Sequence, residues 1–205
     1  MKKLWAAFAV VVLLSFTVLG WVGVRIYQEA PPIPHQVVTD DGRVLIEPGE
    51  IEHGQNVWQA MGGMQLGSIW GHGSYVAPDW SADWLHREAV EILDDWAAAE
   101  GGSSYAALAG ERQAALRARL QAGLRPNRYD AATGVLTVDP IRARAYEANA
   151  AHLADVFGRG REDYAIPAAA VADPADQRAL AAFVFWTAWA CVTERPNDTV
   201  TYTNN

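Results

Sequence analysis

Five histidines, at positions 35, 53, 72, 86 and 152, and one cysteine, Cys191, are the residues able to ligate a soft metal or act as a thiol nucleophile. No two of the histidines stand three or four residues apart, the spacing that sets two imidazoles on one helical face, so the pattern does not predict a zinc site. A single cysteine excludes both an internal disulfide and the C-x-x-C-H attachment of a c-type haem. Cys191 lies inside the apolar run FVFWTAWACV, where a free cysteine reads as a small buried hydrophobe. The run Gly71-His72-Gly73-Ser74 lacks the G-x-S-x-G pattern of a serine nucleophile, and Asp94-Asp95 and Glu162-Asp163 are expected on solvated surfaces. No catalytic set emerges from the residues themselves.

The elements that must carry these residues begin with a membrane segment. Leu4 to Val24 holds no charge over 21 residues, enough to cross a hydrocarbon core of about 30 Å at about 1.5 Å per residue. Lys2 and Lys3 precede it and Trp21 and Tyr27 sit near its far end, so the positive-inside rule places the N-terminus in the cytoplasm and the remainder outside. The stretch WVGVRIYQEAPP has no good small-x-small cleavage site, which favours an uncleaved anchor over a signal peptide. The chain of 205 residues is 51% apolar, enough for one core, and its net charge of -8 argues against a nucleic-acid partner.

Residues 1–27 are therefore read as the transmembrane anchor, 28–46 as an extended stem with a β-hairpin, and 47–205 as a mainly helical domain. The stem, Ala30-Pro31-Pro32-Ile33-Pro34, is stiffened by its prolines. Asp41-Gly42 between VVT and RVLI predicts a hairpin, and Asp130-Ala131-Ala132-Thr133-Gly134 before VLTV predicts a second. Helices are expected over Glu47–Ala60, from a Ser81 cap to Ala99, from Ser103 or Ser104 to Ala122, from Asp139-Pro140 to Gly158, and from Asp173-Pro174 to Thr193. Trp84, Ala89, Ile92, Leu93 and Trp96 form the apolar stripe of the second, and Leu108, Ala115, Leu116 and Leu120 that of the third. Ala179 to Val192 is apolar for 14 residues, too short to span, which predicts a buried helix with an interfacial placement as the alternative.

Two tryptophan-rich stretches, GQNVWQ…GGMQLGSIWGHGSYVAPDWSADWLHREA and FVFWTAWACVTERPNDTVTYTNN, closely resemble the N-terminal portion of quinol-dependent nitric oxide reductases. The likeness covers nearly the whole chain. It implies a membrane helix followed by a cytochrome c-like domain outside the bacterial cytoplasmic membrane, on the periplasmic side. In that family these parts are joined to a helical bundle carrying haem b, haem b3 and a non-haem iron, and quinol supplies electrons for reducing two NO to N2O and water. The related cytochrome c-dependent enzymes have a similar Gly-x-Gly-x-Tyr-x-Ala-Pro loop after a haem-attachment site. Counting back from Gly71, Gly73, Tyr75, Ala77 and Pro78, the Cys, Cys and His positions of that site match Gly63, Leu66 and Gly67 here, which hold no haem.

The resemblance thus implies a domain without its own cofactor, kept as a scaffold and docking unit. Trp58, Trp70, Trp80 and Trp84 are candidates to fill the volume of the lost haem, and His72, Pro78, Trp186 and Trp189 are further structural or docking candidates. Gly73 and Tyr75 are candidate calcium contacts, because the corresponding loop joins a calcium site in the related enzymes and a Gly-rich turn offers oxygen donors. The expected partners are membrane lipid and the catalytic bundle, on the same or a separate chain. The chain ends at Asn205, before the helices whose histidines bind haem and iron in the family, so it is expected to be inactive alone. A free-standing membrane-anchored binding or assembly module is the alternative, and an independent enzyme would require an unexpected metal.

Overall fold

The computed structural model describes residues 1–204 and separates into two units, Met1–Pro32 and a larger one that starts at Ile33. The first unit is helix α1 (Lys2–Glu29), none of whose residues is buried in the protein. At about 1.5 Å per residue it reaches beyond the hydrocarbon thickness of a bilayer, and by length and composition it can cross a membrane. It runs two residues past Tyr27, the limit read from the sequence, because Arg25 pairs with Glu29 one turn on. Ala30 then takes an extended conformation, as a residue before proline must.

The second unit starts with strands β1 (Gln36–Thr39) and β2 (Val44–Ile46), joined through Gly42 at φ +83°. Helix α2 (Glu50–Ala60) follows, then the two-residue strands β3 (Ser68–Ile69) and β4 (His72–Gly73). Next come α3 (Trp80–Ala99), α4 (Gly110–Leu124), β5 (Tyr129–Asp130), β6 (Val135–Val138), α5 (Pro140–Arg159) and α6 (Pro174–Val192). The domain is mainly α, with two small sheets.

Both expected hairpins form, and a parallel pairing of β1 with β6 joins them into one sheet of order β2-β1-β6-β5. Each of these two central strands alternates half-buried and buried residues, so Val37, Leu136 and Val138, with Ile46 of β2, contribute to the core. The first hairpin, read from sequence as part of the stem, is therefore continuous with the domain. His35 N seals the junction by donating to Gly134 O at 2.7 Å.

Helix α6 is the centre of the body. Every residue from Ala179 to Ala190 is buried, against α2, α3 and α5, so the interfacial alternative does not apply. Its alanines allow close approach. Gly54 of α2 makes this visible, since a Cβ there would stand 1.9 Å from Ala179 O.

Several helix starts differ from the sequence reading. Asp79, not Ser81, caps α3, accepting from Ala82 N at 3.0 Å, while Ser81 is buried against α6. The third domain helix starts at Gly110 rather than Ser103 or Ser104, after a 3₁₀ turn at Tyr105–Ala107. Asp94 accepts from Tyr105 N and the Gln113 amide donates to Leu108 O, and these bonds hold the connection in an irregular form. Ala115 is exposed there, not inward, and Leu116 is the buried residue of α4. Asp139 precedes α5 without a side-chain capping bond, because its carboxylate accepts from Arg128 Nη1 at 2.7 Å, and α5 continues one residue past Gly158 to Arg159. Asp173 does cap α6, through Ala175 N at 2.8 Å.

Candidate functional site

The segment between α2 and α3 is built from backbone conformations that side chains resist. Gly62, Gly67, Gly71 and Gly73 have positive φ, and Trp70 joins them at +52°. The chain folds back on itself in this way, pairing β3 with β4, and Gly73 lies so near Gly67 that a Cβ would be 2.2 Å from its carbonyl oxygen.

Asp79 holds the turn shut. One of its carboxylate oxygens caps α3, and the other accepts from Ser68 Oγ at 2.8 Å and Gly71 N at 2.6 Å. One side chain thus fixes both the helix start and the loop before it. A second tie runs to α6: Ser81 Oγ donates to Thr187 Oγ1 at 3.1 Å, Thr187 Oγ1 donates to Val184 O, and Trp70 Nε1 donates to Thr187 O at 2.8 Å.

Tryptophan rings occupy the inner side of the segment. A Cβ at Gly63 would be 2.2 Å from the Trp58 ring, and one at Gly67 would be 2.1 Å from Trp80 Nε1, which donates to Leu66 O at 3.1 Å. Trp80 packs on Phe157 and Tyr164, with centroids 5.0 and 6.2 Å away. Trp84 packs on Tyr146 and Phe185, Trp70 on Trp186, and Trp189 on Tyr202. Gly63, Leu66 and Gly67 therefore do not fit a covalent haem on two counts. They carry no thiol or imidazole, and at Gly63 and Gly67 even a methyl group collides with indole.

The other sequence candidates separate into core and surface. Trp58, Trp80, Trp84, Trp186 and Trp189 are buried in the core of the domain. Trp70 and Pro78 are half-buried, and the Pro78 carbonyl accepts from Ser68 N. His72 is exposed, and its Nδ1 is 2.9 Å from Trp70 O, so that nitrogen carries the proton. At the tip, Tyr75 has a relative exposure of 101% and Val76 of 62%, and Met64 beside them is also exposed. This is an apolar projection at the outer edge of the domain.

The histidines of α2 and α5 face carboxylates outside the loop. His53 Nε2 is 2.7 Å from Asp176 Oδ1, His152 Nε2 is 3.9 Å from Asp83 Oδ2, and no group of three or more His, Cys, Asp or Glu among the described residues is placed to hold a metal. Burial raises the Cys191 thiol above its ordinary range, against hydrogen bonding with Thr203 and Trp70 that lowers it, and the side chain is half-buried.

The core also holds an ion pair absent from the sequence reading. Glu88, 1% exposed, accepts from Arg142 Nε at 2.6 Å, with Arg142 also over the Phe185 ring. Its signal in the sequence is positional: Glu88 stands four residues from both Trp84 and Ile92, on the apolar stripe. Nearby, burial drives the Tyr146 hydroxyl well above the usual phenol range.

Comparison with curated proteins gave no match. The family model for the NorB cytochrome c-like domain of nitric oxide reductase matches residues 34–205, which is all of the globular unit apart from Ile33. The crowded tryptophan-lined loop is thus found in a cytochrome c-like setting, and the chain belongs to the family of NorB cytochrome c-like domains of nitric oxide reductase.

Proposed function

We propose that this chain is the membrane anchor and haem-less docking scaffold of a quinol-dependent nitric oxide reductase. The observation that carries this reading is the contact of Trp58 with Gly63 and of Trp80 with Gly67, which fills with indole the positions that match a haem attachment. A domain built in this way conducts no electrons. Quinol in the membrane then delivers them to the haem b, haem b3 and non-haem iron of the catalytic bundle, where two NO, two electrons and two protons give N2O and water.

Lys2 and Lys3 in the first turn of α1 support a cytoplasmic N-terminus and a periplasmic domain at the cytoplasmic membrane. The exposed tip of Tyr75, Val76 and Met64 is the surface that seats on the bundle. Gly73 and Tyr75 would offer backbone oxygens from this tip to a calcium ion at the junction.

The test is an enzyme assembled from this chain and its catalytic bundle, fed with quinol in nanodiscs. Quinol-driven NO consumption, with no covalent haem on this chain, is the expected result. Thioether-linked haem here, or turnover with reduced cytochrome c but not with quinol, would overturn the reading. A photo-crosslinker in place of Tyr75 should capture the bundle.

A further inference from the structure

A cavity of about 320 Å³ lies between the C-terminal half of α4 and the end of α6. Leu120, Leu124, Cys191 and Val192 give it apolar walls, and Arg117 and Arg125 also line it. Its volume falls within the range of about 300–1,000 Å³ typical of small-molecule sites. Leu120 and Leu124 are left half-buried, although both stand on the same side of α4 as the buried Leu116. Their apolar surface faces the cavity where a core side chain would otherwise cover it.

The two arginines differ. Arg125 Nη1 pairs with Glu194 Oε1 at 3.3 Å, whereas Arg117 is exposed and has no ion pair or hydrogen bond among the described residues. An unpaired guanidinium beside a leucine-lined hollow presents a planar fork of donors that suits a carboxylate, next to a surface that suits an alkyl chain. We infer that the cavity binds a free single-chain alkyl carboxylate, its chain along Leu120, Leu124, Val192 and Cys191 and its head on Arg117. A volume of about 320 Å³ suits a single alkyl chain, which favours a fatty-acid anion over a two-chain lipid.

Cys191 provides the readout, because it is the one thiol of the chain and lies in the cavity wall. The full chain in phosphatidylcholine nanodiscs, free of detergent, is alkylated with iodoacetamide in the presence of decanoate or decanol. Decanoate should slow alkylation saturably and at lower concentration than decanol. Arg117→Gln should raise the half-protecting decanoate concentration by about tenfold, the loss expected for one charge-assisted contact, and leave decanol unchanged. Leu124→Trp, which fills the hollow, should abolish decanoate dependence, with the near-ultraviolet dichroism of the body retained as the check on folding. No decanoate protection in the native chain would overturn the inference. Equal responses to decanoate and decanol, unmoved by Arg117→Gln, would do so as well. Protection by phosphatidylglycerol nanodiscs alone would assign the cavity to bilayer lipid and refute the free carboxylate.

Discussion

The indole of Trp80 and the bare backbone of Gly67 occupy one another's space: Trp80 Nε1 donates to Leu66 O at 3.1 Å, and a Cβ on Gly67 would lie 2.1 Å from that same nitrogen. Gly67 also has φ +148°, a conformation that side chains rarely adopt. Gly67→Ala therefore meets both a clash and backbone strain, at a cost of about 2–5 kcal/mol if the two act together. Urea unfolding of the globular body followed by tryptophan fluorescence should show the midpoint fall; an unchanged midpoint would mean that the indole moves aside freely.

Breaking the Glu88–Arg142 pair should be more harmful than replacing it. Arg142→Leu alone leaves a carboxylate buried without its partner and is expected to cost about 3–5 kcal/mol, while Glu88→Met with Arg142→Leu should recover most of that loss. The side chains are 1% and 10% exposed, so solvent offers little relief to the single variant. A double-mutant cycle by denaturant unfolding supplies the coupling energy, and full additivity would argue against the pair as a unit.

Acid should weaken the fold first through His152. Its pKa is lowered from the ordinary 6.5 by burial and by the charge of Arg87, which outweigh the opposite pull of Asp83 and Asp155. The unfolded chain then binds this proton more readily than the folded one, so stability is full above about pH 6.5 and declines as pH falls toward the lower folded value. Urea midpoints between about pH 7.5 and 5 should decrease, and His152→Gln should flatten that decrease. An equally steep profile in the variant would assign the effect elsewhere.

Thr187→Val keeps the shape of the side chain and removes the hydroxyl that links Ser81 to Val184 O. A loss of about 1–3 kcal/mol is expected, because the Ser81 hydroxyl is left buried with one partner fewer. Limited proteolysis near residues 71–78 should accelerate in this variant, since the tie between loop and α6 passes through these groups. Unaltered proteolysis would show that Asp79 and the Trp70 Nε1 bond to Thr187 O secure the loop without this hydroxyl.

Tyr75→Ala should behave in the opposite sense. The side chain is fully exposed, so stability should change by no more than about 0.5 kcal/mol. Assembly with the catalytic bundle, and with it quinol-driven NO consumption, should fall if the tip is the docking surface. Intact assembly would place the contact on another face.

Helix type and approximate extent were legible because each signal is local. Pro140 and Pro174 after aspartates, the 14-residue apolar run of α6, and Asp41-Gly42 between β-branched stretches all act within a few residues of themselves. The choice of Asp79 over Ser81 as cap was not legible, as both residue types serve and only the partner of Ser81 on α6, 106 residues away, decides between them. Gly63, Leu66 and Gly67 were marked only through the family resemblance, which also singled out the tryptophans around them, but which ring lies against which glycine was not legible.

By itself the sequence determined the apolar N-terminal helix, the absence of any thiol in the 54–87 segment, and the inventory of long helices with the β1–β2 and β5–β6 hairpins, because these depend on residue type and short-range spacing. Tertiary structure alone decided that β1 lies parallel to β6, that Glu88 finds Arg142, that Trp58 and Trp80 close over Gly63 and Gly67, and that Tyr75 is left bare. The reason is the same in each case. Such contacts join residues distant in the chain, or depend on which side of a loop is already filled, and their free energy exists only once the core around α6 has formed.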